Sequence, residues 1–115
     1  MKINRLENLA KTKMEMEGAK NVYRQVPISK NDGSPIFSFR VFTIEPEGHT
    51  PFHQHEWEHL NYIIEGQGVI VMENEEKDIN KGDFVLMPPN EKHQYRNTSK
   101  EKALVMICAV PKEHE

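Results

Sequence analysis

The chain has 115 residues, which suits one small domain, and its 15 basic and 18 acidic side chains leave a formal net charge of −3. The charge balance, with no block of basic residues, excludes the surfaces typical of nucleic-acid and anionic-membrane binders, so we expect neither partner. No apolar stretch is long enough for a membrane-spanning helix or a secretory signal, and the single cysteine, Cys108, excludes an intrachain disulfide. We therefore expect a cytoplasmic protein.

The first twenty residues differ from the rest of the chain. Ile3, Leu6, the pair Leu9/Ala10 and Met14 recur at intervals of three or four among polar residues, which weakly favours a helix. A tail that docks on the domain is typical of the same pattern. The sequence thus predicts a tail or short helix in residues 1–20, followed by a single domain in residues 21–112.

Short β-like runs separated by turn-forming residues fill that domain. They cover residues 22–28, 36–44, 59–64, 69–73, 84–88, 93–97 and 103–110, and residues 74–78 are predicted as a charged hairpin tip. Parallel pairing would need crossover helices, and no helical pattern lies between the runs. The fold class is therefore all-β, either a jelly roll or a small barrel.

Three histidines lie within one seven-residue stretch. His53, His55 and His59 are all odd-numbered, so an extended chain points them to one side, whereas Glu58 points to the other. Several buried imidazoles need many hydrogen-bond partners, and a divalent cation satisfies them together. Two other interpretations remain: an exposed polar strand face without metal, and a closed structural zinc site, although such sites usually recruit cysteine.

A fourth histidine follows a predicted tight turn. Pro89 and Asn90 suit the central positions of a type II turn, whose second residue needs a positive φ. Such a turn would return the chain antiparallel. We therefore expect it to aim His93 at the other three histidines from a neighbouring strand.

These residues resemble the two motifs of the cupin family. The first motif appears as Gly48…His53-x-His55-x3-His59-x6-Gly66. Gly48 is one residue closer to His53 than in the usual motif, and His59 stands where many cupins carry glutamate. The second appears as Gly82-x5-Pro88-x-Asn90-x2-His93-x3-Asn97, with Asn90 at a position usually held by glycine. The two motifs and their spacer cover about half the chain. The resemblance implies a small single-domain cupin with an RmlC-like jelly-roll β-barrel.

The resemblance also implies the metal ligands. The chain looks like the subset of cupins with four histidine ligands, which would be His53, His55, His59 and His93 here. It implies one divalent transition metal per chain, drawn from Mn, Fe, Co, Ni, Cu and Zn, with Mn or Fe favoured. Glu58 is a rival ligand if a bulge shifts the strand register.

Several functions are compatible with such a site. We expect a Mn- or Fe-dependent dioxygenase acting on a small organic substrate, which would be anionic because four neutral ligands leave the metal its full charge. A non-catalytic small-molecule-binding or sensor cupin, and a metal-dependent isomerase or lyase, are the alternatives. As in many small cupins, we expect a homodimer.

No catalytic acid or base is obvious. Tyr95 shares its strand face with His93, and Cys108 would lie near the metal if its face of the last strand points inward, so these two are the catalytic candidates. Arg24 and Arg40 lie in apolar strand runs, which is more typical of paired barrel-wall residues, and either would bind a substrate carboxylate if it pointed inward. The phenylalanines are predicted to line the core and cavity: Phe37, Phe39, Phe42, Phe52 and Phe84.

Overall fold

The computed structural model describes residues 1–115 and is dominated by nine β-strands. In chain order they are β1 (Thr12–Lys13), β2 (Lys20–Ile28), β3 (Phe37–His49), β4 (His59–Glu65), β5 (Gln67–Val71), β6 (Glu76–Asn80), β7 (Phe84–Met87), β8 (Gln94–Asn97) and β9 (Leu104–Pro111). Helix is limited to single 3-10 turns at Leu6–Asn8, Lys30–Asp32 and Lys112–His114. None of these turns is long enough to cross a membrane.

All strand pairs are antiparallel, and the sheet curls around one core. The order is β6-β5-β8-β3-β9-β4-β7, with β2 also paired to β3 and β1 paired to β2. The thirteen-residue strand β3 is long enough to pair with β2, β8 and β9. These features confirm the prediction of an all-β jelly roll.

Two predicted strand boundaries were wrong. The hairpin tip is shorter than predicted because β6 already begins at Glu76 and pairs with β5 from there. Only Ile79 of β6 is buried, so this strand shows no apolar alternation in the sequence. The run predicted to end at Ile44 continues to His49, because a bulge opposite β2 accommodates Pro46.

Residues 1–20 lie against strand β2. Beyond the turn at Leu6–Asn8, β1 pairs with the middle of β2. The buried Gln25 side chain donates hydrogen bonds to the carbonyl oxygens of Leu6 and Leu9, at 2.9 and 3.1 Å. Met14 packs against the hydrophobic core. The segment is therefore attached to the barrel by both polar and apolar contacts.

Alternation along two neighbouring strands separates the interior of the barrel from its surface. On β4 the odd-numbered residues 59, 61 and 63 are buried, and on β9 the even-numbered residues 104, 106, 108 and 110 are buried. The core cluster consists of Val22, Ile44, Ile63, Ile70, Ile79, Met87, Tyr95, Leu104 and Met106. Three of these, Val22, Tyr95 and Met106, also line the cavity described next, so the core supports the site directly.

Candidate metal site

Backbone hydrogen bonds bring the two histidine-bearing segments together. His53 and His93 form an antiparallel bridge in which each amide donates to the other's carbonyl, at 3.1 and 2.9 Å. The amide of Asn90 donates to the carbonyl of His55 at 2.7 Å. Asn90 has φ 65°, which confirms the positive φ predicted for this turn. The turn therefore holds the first histidine segment against the second.

The imidazole rings converge within the barrel. Ligand nitrogens of His53, His55 and His93 all lie within 4.8 Å of one another. The His59 ring stacks on His55 with centroids 4.2 Å apart, and its Nε2 lies 2.8 Å from His55 Nε2. Glu58, the rival ligand, is exposed and does not line the cavity. The structure thus groups three histidines tightly and places the fourth in contact with them.

Hydrogen bonds at the outer nitrogens orient two of these rings. His93 Nδ1 donates to the carbonyl of Glu91 at 2.8 Å, which leaves Nε2 as the unprotonated nitrogen. His59 Nδ1 lies 3.3 Å from the sulfur of Cys108. Outer-nitrogen contacts of this kind are typical of metal-ligating histidines, because they fix the tautomer and the ring orientation. The donor set therefore fits a divalent transition metal.

Burial keeps the imidazoles neutral at physiological pH. It lowers the pKa of His59 to about 3, assisted by the neighbouring His55 and the charge of Arg40. It lowers the pKa of His55 to about 4, although the Trp57 carbonyl opposes the shift. The pKa values of His53 and His93 are also lowered, again mainly by burial. Neutral rings keep the lone pairs that a metal requires.

The rings border a cavity of about 370 Å³ that contains no carboxylate. Its lining consists of Met14, Met16, Ala19, Val22, Arg40, Phe42, Thr50, Pro51, His53, Gln54, His55, Trp57, His59, Asn61, His93, Tyr95, Met106 and Cys108. Phe42 is the only phenylalanine among them. Phe37, Phe39, Phe52 and Phe84 are exposed, so the prediction that they line the core was wrong. Phe37 and Phe39 occupy outward positions of β3, and Phe84 pairs with the outward Tyr62.

The two catalytic candidates both lie in the cavity wall. The Tyr95 hydroxyl donates to Asn61 Oδ1 at 2.7 Å, and burial raises the pKa of this tyrosine far above its ordinary value. Cys108 is buried, and its sulfur accepts a hydrogen bond from Arg40 Nη2 at 3.0 Å. The condition stated for Cys108 is therefore met, because its face of β9 points inward. Tyr95 is tethered and neutral, and Cys108 contacts the histidine group through His59.

Sequence reasoning missed His114, which contacts the cavity-lining residue Trp57. Its ring stacks on Trp57 with centroids 3.7 Å apart, and Trp57 in turn stacks on His55 at 4.6 Å. The following residue, Glu115, anchors this segment by accepting hydrogen bonds from the Ser38 hydroxyl and the Lys30 amide. No local pattern in the sequence marks this contact, because it depends on how the last turn folds back over the barrel.

Comparison with known proteins identifies the family. The Cupin_2 model, which describes the cupin domain, matches residues 40–110. The chain belongs to the cupin family. An uncharacterized protein of Aquifex aeolicus is 30% identical over 106 residues, which cover 91% of this chain and 81% of that protein. An uncharacterized protein of Methanocaldococcus jannaschii is 32% identical over 63 residues; this match covers 54% of the cupin chain and half of that protein.

Solved structures agree with this assignment. The polyketide cyclase RemF from Streptomyces resistomycificus superposes with a TM-score of 0.91 at 25% identity, covering 97% of this cupin and 80% of RemF. A cupin-2 domain protein from Rhodospirillum rubrum gives a TM-score of 0.77 at 29% identity, with 90% and 68% coverage. A Thermotoga maritima protein described as a predicted oxalate decarboxylase gives 0.83 at 21% identity, with 96% and 98% coverage, and shows the shared fold alone.

Proposed function

We propose that this cupin binds one divalent transition metal ion per chain through His53, His55, His59 and His93. The observation that carries the proposal is the convergence of four neutral imidazoles in a wall without carboxylates. When bound, the metal would supply Lewis-acid or redox chemistry with its full double charge, since no ligand neutralises any of it. Mn and Fe are the ions we favour, and nitrogen ligands also suit Co, Ni, Cu and Zn.

We propose that the site acts as a dioxygenase on a small enolisable or unsaturated compound. The cavity wall offers no Asp, Glu or Lys, and the Tyr95 hydroxyl is committed to Asn61. Isomerases and lyases depend on such groups for proton transfer, so their absence from the wall disfavours those two reactions. An oxygenase makes a smaller demand on protein acids and bases, because a metal held by the four histidines would supply the redox chemistry.

The remaining side chains would orient the substrate and exclude water. Met14, Val22, Phe42 and Met106 give the cavity an apolar wall beside the imidazoles. Water exclusion strengthens electrostatic interactions inside the site. The ring of Trp57, held between His114 and His55, forms part of the wall beside the histidine group.

A second candidate is a metal-dependent cyclase, which the likeness to the polyketide cyclase RemF favours. Ring closure of an enolisable chain also uses a Lewis acid, but it consumes no dioxygen. A sensor cupin would bind the same compound without turnover. These functions share the metal and the cavity, so they differ only in what the protein does to the bound molecule.

Metal analysis and oxygen uptake test these proposals together. The protein is loaded with Mn(II) or Fe(II), analysed for bound metal, and assayed with β-diketones and catechols in an oxygen electrode with product analysis. We expect one ion per chain and oxygen consumption. His55→Ala should lose the metal, whereas His49→Ala, which alters a histidine outside the cavity, should retain it.

Each result has a distinct meaning. Full metal content in His55→Ala would remove His55 from the ligand set. Formation of a ring-closed product without oxygen uptake would replace the dioxygenase by the cyclase. Tight binding without any product would favour the sensor.

We also propose that two copies pair through the outer face of strands β3, β9, β4 and β7. A cross-strand row of Phe39, Ala109, Leu60 and Leu86 presents apolar side chains outward, and Phe84 next to it is 81% exposed. Large contiguous apolar patches mark interaction sites, and a stable interface buries about 800 Å² per partner. Phe39, Leu60 and Leu86 are 48–60% exposed, so together with Phe84 they form a patch of this kind.

Light scattering after size-exclusion chromatography tests the dimer. Leu86→Glu should convert it to a monomer by placing a charge within the apolar row that forms the interface. The matched control, Lys77→Glu, alters strand β6 at the opposite end of the strand order and should leave the dimer intact. A wild-type protein that runs as a monomer would contradict the proposal.

A further inference from the structure

Arg40 brings a charge without a counter-charge into the cavity. It projects inward from β3, and it is the only Lys, Arg, Asp or Glu in the cavity wall. The ion pairs in the structure involve other residues. Its Nη2 donates to the weakly accepting sulfur of Cys108, and its guanidinium carbon lies 4.9 Å from the centroid of the Phe42 ring. These contacts hold the side chain in place but leave its positive charge unbalanced.

Two buried donors in this wall have no acceptor. They are Nε of Arg40 and Nε1 of Trp57, and they are the only buried side-chain nitrogen or oxygen atoms in the structure without a hydrogen-bond partner. Leaving such a donor unpaired carries a desolvation penalty, larger for a charged group. Both residues line the same cavity.

Arg24 is a second arginine of this barrel, and its contacts differ from those of Arg40 because its guanidinium has an oxygen acceptor. It lies on the neighbouring strand β2, outside the cavity, and its Nη1 donates to the carbonyl oxygen of Glu115 at 3.1 Å. Arg40 has no oxygen partner of this kind. The charge of Arg40 also contributes, after burial, to lowering the pKa values of His53, His55 and His59, so its field reaches the imidazoles.

We propose that the substrate is a small carboxylate, that Arg40 binds its carboxylate group, and that Trp57 donates to a second oxygen of the same molecule. The planar fork of a guanidinium matches the geometry of a carboxylate. The cavity of 370 Å³ lies at the lower end of the range for ligand pockets, about 300–1,000 Å³, and its apolar wall suits an aromatic or unsaturated body. This assignment rests on the proposed function, because it places the molecule beside the metal site.

Binding of salicylate and of the uncharged salicylamide tests the assignment. The two probes share a ring and a hydroxyl group but differ in charge. Titration calorimetry on metal-free and Zn(II)-loaded protein should show a preference for salicylate in both forms. Arg40→Met should weaken salicylate binding about tenfold or more, as expected for a lost charged hydrogen bond, and leave salicylamide unchanged. Arg40→Lys should restore part of the loss.

Two variants provide the controls. Arg24→Met removes an arginine outside the cavity and should leave both affinities unchanged. Trp57→Phe removes the indole N–H but keeps an aromatic ring between His114 and His55, and it should weaken both probes several-fold. Thermal melts check that each variant is folded, and Arg40→Lys carries the test if Arg40→Met does not fold.

The outcomes separate this inference from the proposed function. Absence of salicylate binding by the wild type, or equal losses for the two probes in Arg40→Met, would overturn the carboxylate assignment. If the protein takes up one metal ion per chain but shows no Arg40-dependent preference for salicylate over salicylamide, the carboxylate assignment is refuted and the metal site is not. A protein that binds no metal but keeps the preference refutes the metal-dependent function and leaves the carboxylate site standing.

Discussion

Replacing Tyr95 by phenylalanine distinguishes a structural hydroxyl from a catalytic one. The hydroxyl donates to Asn61 Oδ1 at 2.7 Å, and both residues are only 4% exposed. The Asn61 amide nitrogen separately donates to the carbonyl of Ile107 at 3.3 Å, so the side chain cannot turn to find another partner without losing that bond. The variant therefore leaves a buried acceptor unsatisfied.

The cost follows from that burial. A buried polar group left without its partner loses about 1–3 kcal/mol, and we expect about 2 kcal/mol here. For a domain of this size that free energy corresponds to a melting temperature lowered by about 6–10 °C. Adding Asn61→Leu to the variant should recover part of the loss, because replacing both partners by apolar groups of similar shape removes the unsatisfied atom.

Urea denaturation and differential scanning calorimetry measure the effect. Tyr62→Phe is the matched control, because the Tyr62 hydroxyl makes no hydrogen bond within the chain and its ring packs on Phe84 near the surface. Metal content should stay at the wild-type value in both variants. Equal stability of the two variants would refute the structural account, and lost turnover at unchanged stability would make Tyr95 a catalytic residue.

Three further predictions concern backbone strain, acid and metal. Gly66→Ala should destabilise the protein more than Gly82→Ala in urea titrations. Both glycines have a positive φ, which costs about 1–2 kcal/mol for alanine. Only at Gly66 would the new methyl group also overlap the Ala103 carbonyl. Metal-free protein should keep its stability above pH 6.5 and lose it as the pH falls towards 3, because the unfolded chain protonates His59 before the folded protein does. At pH 5 the lowered pKa of His59 corresponds to a loss of about 2 kcal/mol of unfolding free energy, which solvent screening reduces to about 1 kcal/mol. An unfolding free energy that does not change between pH 7 and pH 5 would contradict this prediction. Zn(II) at about 100 times its dissociation constant should raise the unfolding free energy by about 2.7 kcal/mol in wild type but not in His55→Ala, and a shift in both would show metal binding elsewhere.

Local rules were sufficient to predict much of the site. Strand alternation depends only on backbone geometry, so the odd numbering of His53, His55 and His59 predicted that their side chains share one side. The positive φ of Asn90 followed from turn chemistry within four residues. The inward face of β9, which carries Cys108, followed from alternation as well, once the interior side was known.

Contacts between distant segments could not be predicted in this way. Strand β6 forms because its backbone pairs with β5, although its side chains are mostly charged. The exposure of Phe84 depends on which side of the sheet faces water, and hydrophobicity alone assigned it to the core. His114 lies far from Trp57 in sequence and meets it only in the folded chain.

The paired amides and carbonyls of His53 and His93 have a consequence for how such barrels diversify. Main-chain groups are common to nearly all residues, so these two positions should remain adjacent whichever side chains occupy them. A point substitution can then swap one donor atom for another while the scaffold stays assembled. In evolution or in design, the metal preference of such a barrel can therefore change by single substitutions while each intermediate sequence still folds.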